Sequence, residues 1–219
     1  YTREHFESVR ARLQPGGIFA QWLPLWQLSR REFDIIAATF LSVFDHVTVW
    51  RGLFNPGNTG LALIAHAEGR PVDLQTVAAR LTALHAADPF DDSFLSELTA
   101  FMVLYAGDLS GQADRLARIG LNTDQRPRIE WLAPRTLRAV QAGNADWLNG
   151  SELADLFEAI NSSRALPGDR LLRGAAEPFL YRSAGADFYR AEVLAADGDL
   201  QRARAMRERG SRTLAPVRR

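Results

Sequence analysis

The stretch Gln21-Trp22-Leu23-Pro24-Leu25-Trp26-Gln27 crowds two indoles and two amides into a short segment. Indoles offer flat apolar walls and amides offer directed hydrogen bonds, which together suit a small-ligand pocket. The segment closes an apolar run from Ile18 to Leu23, and in a parallel sheet ligands bind beyond the carboxyl ends of the strands. A packing explanation stands beside this one: Trp22 and Trp26 buried under the next helix, with Gln21 capping the sheet.

The remaining reactive residues are scattered. His5, His46, His66 and His85 lack the i, i+4 spacing that sets two imidazoles on one helical face for a metal. The chain has no cysteine, so it holds no disulfide, thiolate nucleophile or thiolate metal site. All 26 basic residues are arginine, which excludes a Schiff-base lysine and a phosphate-loop lysine within this chain. Gly16-Gly17 precedes a strand instead of following one and reads as a tight turn, not a phosphate cradle. No G-x-S-x-G elbow occurs, and Ser29 is explained as a helix cap. The acidic stretch Asp88 to Asp92 around Pro89 and Phe90 offers a cation site, but a solvated loop is the simpler reading. Asn122-Thr123-Asp124 carries short polar groups that bond their own backbone, so a turn is favoured there over a site. No catalytic or cofactor-binding constellation is complete.

Composition limits the partners. Twenty-six basic and 26 acidic residues cancel, so no global field gathers nucleic acid or an anionic membrane. A hydrophobic content of 47% over 219 residues is enough to bury a core and a smaller appendage. No run of about 20 apolar residues would span a bilayer, and the expectation is a soluble chain. The sequence opens at Tyr1, inside a helical pattern and without Met, which leads us to expect an upstream segment.

These residues must be positioned by an α/β arrangement. Phe6, Val9 and Leu13 recur at helical spacing, and Pro15-Gly16-Gly17 ends that helix. Ile18 to Leu23 is apolar on both faces, as in a strand covered on both sides and lying inside a parallel sheet, yet no earlier strand exists in this chain to pair with it. Ser29 and Glu32 form a capping box for a helix whose buried stripe is Phe33, Ile36, Phe40 and Phe44. His46 to Arg51 and Leu61 to Ala65 read as an antiparallel pair around an Asn- and Gly-bearing loop. Helices are expected from Val72 or Asp73 to His85, Asp92 to Tyr105 and Gly111 to Ile119, followed by an extended piece from Arg128 to Leu132. After Pro134, helical segments are expected at Thr136 to Ala142, Asn144 to Ile160, Ala184 to Ala196 and Leu200 to Arg209. The last two read as a helical hairpin with one tetratricopeptide-like unit's pattern of small residues.

The segment from YTREHFESVRARLQPGGIFAQWLPLW to HVTVW, then LALIAHA, resembles the C-terminal half of spermidine synthase-like aminopropyltransferases. NTDQRPRIEWLAPR resembles a loop and terminal strand of the bacterial branch often fused to membrane segments. The resemblance covers Tyr1 to Arg135 and implies the C-terminal half of a methyltransferase-like Rossmann sheet, with a mostly helical tail over 136–219. It implies transfer of an aminopropyl group from decarboxylated S-adenosylmethionine to a diamine or polyamine. Gln21 takes the place of an acceptor-pocket glutamine, Trp22 and Trp50 would wall that pocket, and Asp124 is a more distant cation contact. The family's glycine-rich loop, ribose-holding acid and catalytic aspartate belong to its front half, so the chain alone is expected to bind no cofactor and to be inactive. Gln21 is followed by Trp-Leu where typical synthases carry an acid. The expected partners are the missing front half or a second copy joined through the strand edge, in the cytoplasm, with a membrane-tethered parent. The competing expectation is a non-catalytic module, derived from such an enzyme, that recruits a partner protein.

Overall fold

Two hydroxyl side chains start the helices that flank the first strand. The Thr2 hydroxyl accepts the His5 N–H at the start of α1 (Arg3–Arg10). Ser29 accepts the Glu32 N–H while the Glu32 carboxylate accepts the Ser29 N–H at 2.7 Å, which closes the expected capping box of α2 (Arg30–Leu41). Between them lies β1 (Ile18–Pro24), and beyond α2 come β2 (Val47–Arg51) and β3 (Gly60–His66). The computed structural model describes residues 1–88, 97–175 and 177–218. The acidic loop around Pro89 and Phe90 and the beginning of the helix expected from Asp92 lie outside the described residues.

Past the hairpin, a two-residue β4 (Val72–Asp73) leads into α3 (Leu74–Ala87), and α4 (Leu98–Met102) precedes β5 (Tyr105–Asp108). Then follow α5 (Ala113–Leu116), α6 (Arg128–Gln141), α7 (Gly150–Ile160), β6 (Leu172–Arg173), α8 (Pro178–Ala196) and α9 (Leu200–Leu214). The main sheet has the order β1-β3-β2-β5 with every neighbouring pair antiparallel. Because β3 is antiparallel to both β1 and β2, those two run parallel to each other, with α2 as the crossover between them. The chain is thus a mixed α/β protein with a small antiparallel sheet and much helix. No helix among the described residues is long and apolar enough to cross a membrane.

The inner face of the sheet carries the core. Leu61, Leu63 and Ala65 of β3, Val49 of β2 and Leu23 of β1 have no solvent contact, and Phe33, Ile36 and Phe40 of α2 pack onto them. Phe40 is also the hub of an aromatic cluster, 5.0 Å from Phe6 of α1 edge-to-face, 4.8 Å from Phe44 and 5.9 Å from Phe19. Full burial of such side chains contributes about 1.5–3 kcal/mol each. The same core continues without a break into Leu148, Leu153, Leu156, Phe157 and Tyr189 of the C-terminal helices.

Four expectations are corrected. β1 is an edge strand, and its outer residues Ile18 and Trp22 are 54% and 49% exposed, so the strand is covered on one face only. Its two-sided apolarity was read as burial in a parallel sheet, but the only strand that pairs with it among the described residues is antiparallel. Tyr105 begins a strand where a helix was expected to end, and β5 fills the far edge beside β2. Arg128 to Leu132 is helical: the Asn122 side-chain oxygen accepts the Ile129 N–H at 3.1 Å, and α6 then runs through Pro134. Finally, α7 starts at Gly150 and α8 at Pro178, whose ring suits a first helical turn. The α8–α9 hairpin itself is present, closed by small residues: a Cβ on Gly210 would meet Phe188 at 2.7 Å.

Helices and sheet are joined by two arginines, Arg51 of β2 and Arg182 of α8, which are 3% and 0% exposed. Arg182 donates from Nε and Nη2 to both oxygens of Asp169, at 3.1 and 2.9 Å, and Arg51 donates from Nη2 to the Arg182 carbonyl. Removing one partner of such a buried pair strands a charge. We expect Arg182→Ala to lower unfolding free energy by about 3–5 kcal/mol, read by urea denaturation, with Arg182→Met costing less because it refills the volume. Gly185→Ala should also destabilise, since its Cβ would lie 2.1 Å from the Val103 carbonyl oxygen and 2.5 Å from Arg51 Nη1.

Candidate functional site

Strand register decides which candidate residues meet. Trp22 of β1 lies opposite Ala62 of β3, and Ala62 lies opposite Trp50 of β2. The two indoles therefore share the outer face of the sheet in one row, with an alanine between them and strand spacings of about 4.8 Å on each side. The Trp22 ring lies over Gly60, where a Cβ would come within 1.9 Å of it, so a side chain there is incompatible with the indole's position. Trp50 packs against Phe101 and Tyr105 with ring centroids 5.0 and 5.3 Å away.

Gln21 belongs to the opposite face, across from the buried Leu63. Its amide Nε2 donates to the Trp22 carbonyl at 3.0 Å. That carbonyl lies on the free side of the strand: Gly17 and Leu25 bond to β3-side partners, and alternation turns the backbone groups of Ile18, Ala20 and Trp22 outward. Gln21 thus folds over the edge it borders and does not join the indoles. Asp124 is exposed in the turn before α6, and its N–H donates to Glu4 of α1 at 3.0 Å. Asn122, by contrast, is fully buried and joins three helices, since its carbonyl accepts the Arg3 N–H, its N–H donates to Thr39 and its side chain starts α6.

One polar chain runs beside the indoles. Trp50 Nε1 donates to Thr48 Oγ1 at 3.0 Å, and that hydroxyl lies 2.9 Å from His66 Nε2. His66 is 5% exposed and its Nδ1 is buried without a partner among the described residues. Burial, and then the neighbouring His46, lower its pKa to about 4, so the ring is neutral at physiological pH. His46 sits across from it where β2 enters the sheet, its carbonyl accepting the His66 N–H at 2.9 Å. Sequence reading passed over Thr48 and weighed His66 only as a metal ligand. Period-2 alternation sets Thr48 and Trp50 on one face of β2, but placing His66 beside them requires the register of β3.

A cavity of about 630 Å³ lies between α2, α5 and the turn before β6. Ser42, Asp45, His46, Asp108 and Ser110 line it among apolar residues, and Asp108, 4% exposed, accepts the Ser110 N–H at 2.8 Å as well as the Ser110 hydroxyl and the Gly168 N–H. Those bonds make Asp108 a brace for two turns; the Asp-x-Ser spacing is the signal that a turn reading would have caught. Gly16-Gly17 does close the turn from α1 into β1: Gly16 has φ +74° and the Gly17 N–H donates to Gln14. With no strand before it in the described chain, this pair does not fit a phosphate or sulfonium-donor seat.

Comparison with known proteins finds no family model, no curated protein and no solved structure that matches this chain.

The buried histidine gives this region a pH signature. A folded-state pKa near 4 against about 6.5 unfolded means that the unfolded chain takes up the proton first. The stability is fully present above the unfolded pKa and is lost as pH falls from about 6.5 towards 4, by about 3 kcal/mol. Chemical denaturation at pH 7 and pH 4 should show the wild type losing that much more than His66→Gln; equal losses would remove His66 as the cause.

Proposed function

We propose that this chain is the C-terminal part of a spermidine synthase-like protein and that it works with a further strand laid along the free edge of β1. The activity so assigned is aminopropyl transfer from decarboxylated S-adenosylmethionine to a diamine or polyamine, in a cytoplasmic protein whose parent is membrane-tethered. The observation that carries the reading is the edge itself. Ile18 to Leu23 holds no charge or bulge that would blunt it, no strand among the described residues pairs with its outer side, where Gln21 covers the Trp22 carbonyl and Pro24 ends the strand, and Ile18 and Trp22 are about half exposed. The order of helix, strand, crossover helix and closing antiparallel pair is also the order the resemblance implies.

Within that assembly this chain supplies the acceptor side. The Trp22 and Trp50 faces attract an ammonium group by cation–π contact. The Gln21 Oε1, which has no partner among the described residues, is left to accept an N–H across the edge. The donor seat does not fit the residues present here and is assigned to the added part, together with the base that must take the amine's proton.

A second reading, a non-catalytic interaction module, has its own support. The Trp50 N–H and the Thr48 hydroxyl are engaged among Trp50, Thr48 and His66, which leaves the row of Trp22, Ala62 and Trp50 largely apolar and suited to covering by another protein.

Calorimetric titration with decarboxylated S-adenosylmethionine and with its thioether product separates the two. The transferase reading requires binding and turnover by the chain co-expressed with a family front half, and silence from the chain alone. It further requires Trp50→Ala to raise the KM for the diamine about tenfold. A complex that forms but neither binds nor turns over leaves the interaction module; binding by the chain alone contradicts both.

A further inference from the structure

We infer that the groove between α2 and α6 is a binding site for a nucleotide, with the ring stacked on Trp131 and the phosphates held by arginine. The inference is independent of the aminopropyl-transfer reading and concerns a separate surface. Arg31 of α2, Arg126 of the preceding turn, and Arg128 and Arg135 of α6 line an open groove of about 350 Å³. That lies within the size range of small-ligand sites. No carboxylate among the described residues lines it.

Three features set these arginines apart from a solvated surface. Elsewhere most arginines of the chain are matched to acids, as with Arg3 to Glu7, Arg190 to Asp155 and Glu158, and Arg207 to Glu192. The four in the groove make no ion pair among the described residues, and the acids of α2 are already committed. Glu32 closes the capping box with Ser29, and Asp34 is held by Arg30 at 3.2 Å and Arg115 at 2.6 Å. Arg128, Trp131, Leu132 and Arg135 follow the i, i+3, i+4, i+7 pattern, so one face of α6 carries two guanidinium forks on either side of an indole. The Arg128 guanidinium also rests on Gly120, where a Cβ would lie 2.5 Å from its Cζ, and this close seat orders the fork before any ligand arrives.

Trp131 is 68% exposed and lines the groove, so an indole face is open to a ligand there. An indole face between guanidinium groups recognises a flat ring that bears negative charge: bases stack on aromatic side chains, and arginine forks match phosphate oxygens bidentately. The first turn of α6 adds its partial positive charge beside Arg126 and Arg128. A nucleoside diphosphate supplies the ring and the phosphates in one molecule.

The test uses the full chain, with ADP, adenosine, tripolyphosphate and a short oligothymidylate as probes, followed by calorimetry and tryptophan fluorescence. ADP is expected to bind at least tenfold more tightly than adenosine or tripolyphosphate, and to be displaced by salt. The double variant Arg128→Ala/Arg135→Ala should weaken ADP at least tenfold. Trp131→Leu should weaken ADP while leaving tripolyphosphate unchanged. All the altered side chains are at the surface except for aliphatic stems, and circular dichroism confirms that the variants fold. Absence of ADP binding, equal binding of tripolyphosphate, or indifference to the double variant overturns the proposal. Tighter oligothymidylate binding that ADP does not displace overturns it as well, in favour of a nucleic-acid surface.

Discussion

Burying a guanidinium costs least when every N–H finds an acceptor, a condition that Arg182 meets and that Arg51, with a buried Nε lacking a partner among the described residues, does not. The five donors of Arg182 go to both oxygens of Asp169, the Asn161 side chain and the carbonyls of Ser163 and Arg164. Asp169 in turn accepts the Tyr105 hydroxyl at 3.0 Å and the Leu166 N–H at 3.0 Å, so the charge pair fixes β5, the turn after α7, and α8 together. Burial, and then the Asp169 carboxylate, raise the Tyr105 phenol's pKa above its ordinary value, which keeps the proton needed for that bond. Arg51 extends the network into the sheet through the Val103 and Tyr105 carbonyls and lies 4.7 Å from the Phe157 ring centroid. Burial and the like charge of Arg182 lower its pKa to about 9, with the Asp187 carboxylate opposing the shift, so the group is protonated at neutral pH. A pair like this adds specificity more than net stability, because each alternative packing leaves a charge stranded.

The consequence reaches the opposite edge of the sheet. With β5, α7 and α8 closing the β2 side, the sheet has one open border, and that is β1. The outer row of Trp22, Ala62 and Trp50 meets, at that border, the side of β1 that no strand among the described residues pairs. The functional proposal rests on this asymmetry. One edge is closed by buried charge, and the other is apolar and exposed, with Pro24 at its end and the Gln21 amide on the Trp22 carbonyl as its defences against pairing. The arginine groove lies apart from both, on the outer side of α2 and α6.

Much of the front of the chain was legible because its signals are local. The Ser29–Glu32 box and the Phe33, Ile36 and Phe40 stripe need only their own helix, and the β2–β3 pair needs only alternation and a glycine-bearing loop. What failed depended on distant partners. Ile18 to Leu23 carries the composition of a two-sided strand, but which neighbours cover it is not written in it. Arg128 to Leu132 reads as extended by its own residues; the helix forms because the Asn122 side chain accepts the Ile129 N–H and because Ile129 and Thr136 are buried. β5 is four residues with a glycine, too weak a strand to read without β2 beside it. The site divided in the same way: Trp22 and Trp50 share a face that alternation and register together determine, whereas Gln21 is one residue out of phase and falls on the other face.

The most direct test of the account is the exchange of individual backbone amides along β1. In the dilute isolated chain, the N–H groups of Phe19, Gln21 and Leu23 should be protected by β3, and those of Ile18, Ala20 and Trp22 should exchange freely. Addition of a spermidine synthase-like front half should then protect the second set without changing the first. Protection of Ile18, Ala20 and Trp22 in the isolated chain, or their indifference to the added half once a complex forms, would contradict the claim that this edge is where the sheet continues.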